Sequence, residues 1–141
     1  MPILTFNIFE GSFWDVRAKS GARGNGRNDD TAAINQALKD ATAVNAIVYF
    51  PHGMYIVTDT IFVPNGARIV GEIWPQIMAS GPKFSDINNP HVMFQVGKEG
   101  DVGVVEIQDM LFTTRGNTAG AILVQWNIKQ SSPGSAAMWG E

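Results

Sequence analysis

The run Gly21-Ala22-Arg23-Gly24-Asn25-Gly26-Arg27-Asn28-Asp29-Asp30-Thr31-Ala32-Ala33-Ile34-Asn35-Gln36-Ala37-Leu38 divides into a glycine turn and the start of a helix. Three glycines in six residues supply backbone that reaches positive φ or allows close approach. Asp29, Asp30 and Thr31 then offer side-chain oxygens to the first free N–H groups of a helix, and these three are the expected structural cap. Ile34, Ala37, Leu38 and Ala41 recur at helical spacing, so the helix, expected to run to about Ala43, has one narrow apolar face. A phosphate-binding loop would end in Gly-Lys-Ser/Thr; this run ends in two carboxylates, whose charge at a helix mouth repels a phosphate.

Around this helix the chain reads as strand and turn. Phe13 to Arg17 is a short strand entering the glycine turn. Ala46 to Phe50, Met54 to Val57, Ile61 to Val63 and Ala67 to Gly71 follow, separated by Pro51-His52-Gly53, Thr58-Asp59-Thr60 and Pro64-Asn65-Gly66. Glu72 to Pro90, with Trp74-Pro75, Gly81-Pro82 and Asn88-Asn89-Pro90, reads as a long excursion, the kind of segment where binding groups sit. Strands resume at His91 to Val96, at Val102 to Phe112 and at Ala119 to Trp126, with Thr113 to Asn117 a loop and Ser131 to Ser135 a turn. In the second of these, alternation puts Val105, Ile107 and Asp109 on one face and Glu106, Gln108 and Met110 on the other. Strands of about four residues with closely spaced turns are too short and too even for a sandwich and suit a solenoid, in which each coil supplies only inward apolar residues.

The pattern Gly-Ala-x-Gly-Asn-Gly-x-x-Asp-Asp-Thr-x-Ala-Ile at Gly21 to Ile34, followed by Val48-Tyr49-Phe50-Pro51-His52-Gly53-Met54-Tyr55, resembles the opening of pectate-lyase-like right-handed β-helix domains. His52 stands where that family usually has proline. The stretches Val105 to Gly116 and Ala119 to Asn127 narrow the resemblance to fungal glycoside hydrolase family 55, whose members are β-1,3-glucanases. The resemblance runs from Trp14 to Trp139 and implies an all-β, right-handed parallel β-helix with the short helix as an N-terminal lid. Residues 1–13 are a non-matching lead-in and residues 14–141 a partial β-helix domain that stops where family members continue into further coils. It also implies an extracellular enzyme that acts on β-1,3-glucan from chain ends without a cofactor.

Composition bounds these readings. The 141 residues, 45% hydrophobic and 16% charged, describe one core-forming domain, and fifteen glycines with seven prolines suit many turns. The net charge of −3 without a basic run lacks the footprint of nucleic-acid binding and fits a neutral polysaccharide better than pectate. With no cysteine and only His52 and His91 as imidazoles, in turns, no metal site is expected. No apolar run approaches a membrane span, so no membrane partner is expected, and Met1 to Phe9 lacks the features of a signal peptide. The expectation is therefore an internal or truncated piece of a secreted protein. Its uncovered C-terminal end, at Met138-Trp139, is a template for self-association.

Glycoside hydrolysis needs a proton donor and a second carboxylate. Glu72, Asp86, Glu106 and Asp109 are the candidates here, and the resemblance selects none of them, because the family's acid lies in a later part of the protein that matches nothing in this chain. Catalytic and substrate-binding residues thus stay unassigned at this level. Trp74 and Trp126 are either sugar-stacking or core residues. Two readings remain open: an exo-type β-1,3-glucan hydrolase fragment, inactive alone, or a non-catalytic β-helix module that grips a glycan or serves as a scaffold.

Overall fold

A computed structural model describes residues 13–130 and 136–139. The chain winds through successive coils, each contributing one strand to each of up to four sheets, and every strand pairing among the described residues is parallel. Sheet A is β1 (Phe13–Asp15), β3 (Ile47–Phe50), β6 (Arg68–Gly71), β10 (Val105–Gln108) and β14 (Ala136–Trp139), in that spatial order. Sheet B stacks β2 (Asn25–Asp29), β4 (Met54–Val57), β7 (Gln76–Ala79) and β11 (Leu111–Thr114). Sheet C stacks β5 (Ile61–Val63), β8 (His91–Val96) and β12 (Ala121–Trp126), and the two-residue strands β9 (Val102–Gly103) and β13 (Lys129–Gln130) form sheet D. This is a parallel β-helix.

Its core is built in columns, because register places equivalent inward residues of successive coils side by side. Val48, Ile69 and Ile107 align in sheet A, Tyr55, Ile77 and Phe112 in sheet B, and Ile61, Phe94 and Val124 in sheet C. Val48, Ile69, Ile107, Tyr55, Ile77, Ile61 and Phe94 are wholly buried. Each such side chain contributes roughly 1.5–3 kcal/mol by leaving water.

Helix α2 (Thr31–Ala43) occupies the place that a sheet C strand would take in the first coil, and its buried Ile34, Ala37, Leu38 and Ala41 face the core, as their spacing requires. Asn35 completes the lid: its Oδ1 accepts the Phe62 N–H at 2.9 Å and its Nδ2 donates to the Thr60 carbonyl at 3.0 Å. One side-chain amide thereby satisfies the backbone groups that the edge of β5 would otherwise leave open.

Four local expectations change. The strand from Phe13 stops at Asp15, whose carboxylate accepts the Arg17 and Ala18 N–H groups at 2.9 and 3.1 Å and starts a short helix, α1 (Val16–Ser20), closed by Gly21 at φ 79°. The glycine turn hands over first to β2 and only then to α2. The excursion from Glu72 contains β7, so the irregular part shrinks to two corners, Glu72–Pro75 and Ser80–Pro90, the latter with a 3-10 turn at Pro82–Phe84. Val102 to Phe112 bends at Asp109, which adopts φ 59°, so Met110 turns inward and is buried instead of sharing a face with Glu106 and Gln108. The expected lead-in, apart from Phe13, and the expected turn at Ser131–Ser135 lie outside the described residues.

Candidate functional site

The corners joining sheet A to sheet B stack into a ridge: Val16–Gly24, then Pro51-His52-Gly53, then Glu72–Pro75, then Asp109-Met110. Backbone bonds stitch it from coil to coil, Met54 N–H to Gly24 O, Gln76 N–H to Gly53 O and Leu111 N–H to Pro75 O, all between 2.9 and 3.0 Å. Gly71 allows the third corner to close, since a Cβ there would lie 2.5 Å from the Asp109 carbonyl oxygen and 2.7 Å from the Pro75 ring.

Glu72 is the polar centre of the ridge. Its Oε1 accepts the His52 N–H at 3.3 Å, its own N–H donates to the Phe50 carbonyl at 2.9 Å, and His52 Nδ1 lies 2.9 Å from the Ile73 carbonyl. Tyr49 projects from β3 on the outward side, in register with Asp15 and Val70. Burial, then the hydrogen bond and charge of Glu72, then the charge of Asp15, push its phenol up to about 12. Ile73 and Trp74 follow Glu72 in consecutive left-handed conformations, φ 53° and 56°, with 71% and 41% of their surface exposed. The ridge therefore gathers a carboxylate, a phenol, an imidazole and an exposed indole, a set able to exchange hydrogen bonds with hydroxyl groups and to stack on an apolar ring face. Toward the helical end it borders a cavity of about 840 Å3 lined by Asp15, Arg17, Gly21, Arg23, Asn25 and Pro51.

The remaining candidates disperse. Asp109 belongs to the same ridge one coil on, with its carbonyl against Gly71. Glu106 lies on the outward face of sheet A, in register with Arg68. Asp86 is at the opposite edge, between sheets B and C, where its Oδ1 accepts the Asn88 N–H at 2.9 Å and it helps line a cavity of about 410 Å3 with Lys83 and His91. Trp126 packs against the core and donates from Nε1 to the Ile128 carbonyl at 2.9 Å, so of the two tryptophans only Trp74 is displayed.

Two arrangements were not foreseen. At the Asp86 edge, Asp59 receives Lys83 Nζ at 2.6 Å and lies 2.7 Å from His91 Nε2. The Lys83 hydrogen bond, then those of His91 and the Thr60 N–H, hold the Asp59 carboxyl far below the usual carboxylate range. The Asp-Thr pair is visible in the sequence, but its partners are 24 and 32 residues away.

The second concerns the expected cap. Asp29 accepts the Thr31 N–H at 3.0 Å, together with its hydroxyl, and the Thr58 hydroxyl at 2.6 Å. Burial pushes its carboxyl up, but these bonds outweigh burial and hold it below its ordinary value. Thr31 Oγ1 accepts the Thr58 N–H at 2.8 Å. Asp30 stands at the N-cap position and its carbonyl accepts the Ile34 N–H, yet its side chain makes no bond to the helix. At φ −98°, ψ 9° its backbone is not the extended one of a capping residue. The buried carboxylate instead accepts the Arg23 and Gly24 N–H groups at 2.8 and 2.9 Å, clamping the glycine turn.

Against known proteins, a non-secreted LysM effector of Penicillium expansum is 54% identical over 125 residues, which cover 89% of this chain and 10% of that protein. A probable glucan endo-1,3-beta-glucosidase of Arthroderma benhamiae is 48% identical over 133 residues, 94% of this chain and 15% of that protein. The chain thus spans only a small part of the relatives it matches. Among solved structures, the A-module of the mannuronan C-5 epimerase of Azotobacter vinelandii superposes with a TM-score of 0.60 at 20% identity, over 89% of this chain and 36% of that one, a likeness of fold. The rhamnogalacturonase A/epimerase, pectate lyase-like family matches residues 13–132, and with the stacked parallel coils described above this places the chain in that family.

Proposed function

We propose that this chain is a part of an extracellular β-1,3-glucan hydrolase of the glycoside hydrolase family 55 kind, cofactor-free, and that alone it binds the glucan without hydrolysing it. The observation that carries this reading is the 48% identity, over nearly the whole chain, to a protein named a probable glucan endo-1,3-beta-glucosidase. The ridge supports it chemically, because its polar groups suit the hydroxyls of a neutral sugar. Glu72 is already engaged by His52 and Tyr49, and Asp86 by the Asn88 N–H, which supports placing the proton donor elsewhere in the whole protein.

A second reading, a non-catalytic β-helix module, is favoured by the 54% identical relative, whose name is not that of a hydrolase. Pull-down on insoluble β-1,3-glucan, combined with reducing-sugar release from laminarin, separates the two. Binding without release above a boiled control is expected. Release that disappears in Glu72→Gln or Glu106→Gln would place the acid within this chain. Failure to bind would leave the scaffold reading.

A further inference from the structure

Among the described residues, Ile73 and Trp74 are two consecutive non-glycine residues at positive φ, and both of these large apolar side chains face solvent. For L-residues the left-handed region costs roughly 1–2 kcal/mol per residue, and for a β-branched residue such as Ile73 it is a true outlier. Here two such residues occur in succession. A corner whose only task was to join β6 to β7 would have no reason to keep isoleucine and tryptophan there, because glycine takes the positive φ at other sharp turns of the coil, Gly66, Gly81 and Gly97 among them. The strain is held by contacts on both sides: Glu72 N–H on the Phe50 carbonyl, His52 on the Ile73 carbonyl, the Pro75 ring against Gly71, and Leu111 N–H on the Pro75 carbonyl. Strain that surrounding structure over-determines in this way is a property of working surfaces.

We infer that Ile73-Trp74 forms a sugar-stacking subsite, on which the indole of Trp74 packs against the apolar face of a neutral β-linked glucosyl unit, and that Glu72 is the positioning residue that fixes this corner. An indole matches a pyranose because equatorial substituents leave the ring's C–H groups on its faces, and a tryptophan with 41% of its surface exposed has area to offer them. Glu72 tethers the corner to the preceding coil through the His52 N–H and, by its own N–H, through the Phe50 carbonyl, so that the corner carrying the indole is preorganised before the sugar arrives. The occupant named here, glucan, rests on the reading in the preceding subsection; the existence of the subsite rests on the geometry.

The test measures binding of laminari-, cello-, xylo- and malto-oligosaccharides to the whole chain by calorimetry and by tryptophan fluorescence. The variants are Trp74→Ala, Trp74→Phe and Glu72→Gln, with circular dichroism confirming that each folds. Expected are a fluorescence change on adding laminari-oligosaccharide that vanishes in Trp74→Ala, an affinity loss of about tenfold in that variant, and recovery to within about threefold in Trp74→Phe. Glu72→Gln should weaken binding while leaving the Trp74 fluorescence change at saturation, which loss of a direct sugar ligand and loss of folding would not both preserve. Laminari-oligosaccharide bound equally by wild type and Trp74→Ala overturns the subsite and leaves the glucan reading standing. A different neutral glycan bound through Trp74 upholds the subsite and overturns the glucan reading. No Trp74-dependent signal with any of the four at millimolar concentration overturns the subsite and leaves Ile73 and Trp74 as a surface for protein contact.

Discussion

Asp30→Ala separates a capping role from a clamping one by magnitude. Were Asp30 a simple N-cap, its loss would cost about 1 kcal/mol. In the structure its carboxylate is 2% exposed and accepts two backbone N–H groups, from Arg23 and Gly24, at 2.8 and 2.9 Å. A hydrogen bond to a charged group contributes about 1.5–3 kcal/mol, and a buried donor left unpaired adds its own desolvation cost. Arg23 is exposed, so its N–H can find water, whereas Gly24 is half-buried against the Tyr55 ring. Together these give an expected loss of about 2–4 kcal/mol. That is a large part of the 5–15 kcal/mol typical of a domain. Asp30→Asn keeps one acceptor and turns a donor toward the second N–H, so its loss should be of similar size. Urea unfolding of the three proteins, with amide hydrogen exchange at Gly24, provides the measurement. A loss of about 1 kcal/mol or less in Asp30→Ala, with Gly24 exchange unchanged, would refute the clamp.

Ile73→Gly should raise stability by a few tenths to about 1 kcal/mol, the left-handed penalty relieved less the entropy of glycine, and should weaken glycan binding at the same time; a destabilised variant would contradict the strain argument. Asn35→Ala should cost about 1–3 kcal/mol and speed exchange of the Phe62 amide, read by denaturant melts and exchange mass spectrometry, because two edge groups of β5 lose their partner. Asp59 has a depressed carboxyl, so its contribution is present above about pH 4 and is lost as pH falls through the folded value. With its side chain 41% exposed that contribution is at most about 1 kcal/mol, and Asp59→Asn should flatten the acid limb of a stability-versus-pH curve by that amount. Tyr49 is raised to about 12, so the stability linked to its neutral phenol is full below about pH 10 and lost as pH rises through 12. In Glu72→Gln an absorbance titration should bring that value part-way down, since burial, the larger cause, remains; an unchanged titration would remove Glu72 from the phenol's surroundings.

The helix of Thr31–Ala43 and most strands were legible in the sequence because their causes are local. Ile34, Ala37, Leu38 and Ala41 announce a helical face by spacing alone, and Pro51, Gly53 and Pro64 stop strands wherever they occur. The resemblance supplied the winding of those strands into a parallel β-helix. Less local features were harder to see: β7 was hidden between Trp74-Pro75 and Gly81-Pro82, and the bend at Asp109 broke an alternation that looked continuous.

What the sequence could not decide is which groups meet. Glu72, Asp86, Glu106 and Asp109 are equivalent as letters, and only the stacking of coils sets Glu72 beside His52 and Tyr49, Asp86 at the opposite edge and Glu106 opposite Arg68. Asp30 illustrates the same division. Its place before a helix follows from its neighbours in the chain, but its carboxylate turns toward Arg23 and Gly24 because the backbone there departs from the capping conformation and the folded turn brings two otherwise unpaired N–H groups within reach. Periodicity and turn chemistry are properties of a dozen consecutive residues, whereas a site in a solenoid is assembled across coils from residues about twenty or more positions apart, at distances that only the completed winding fixes.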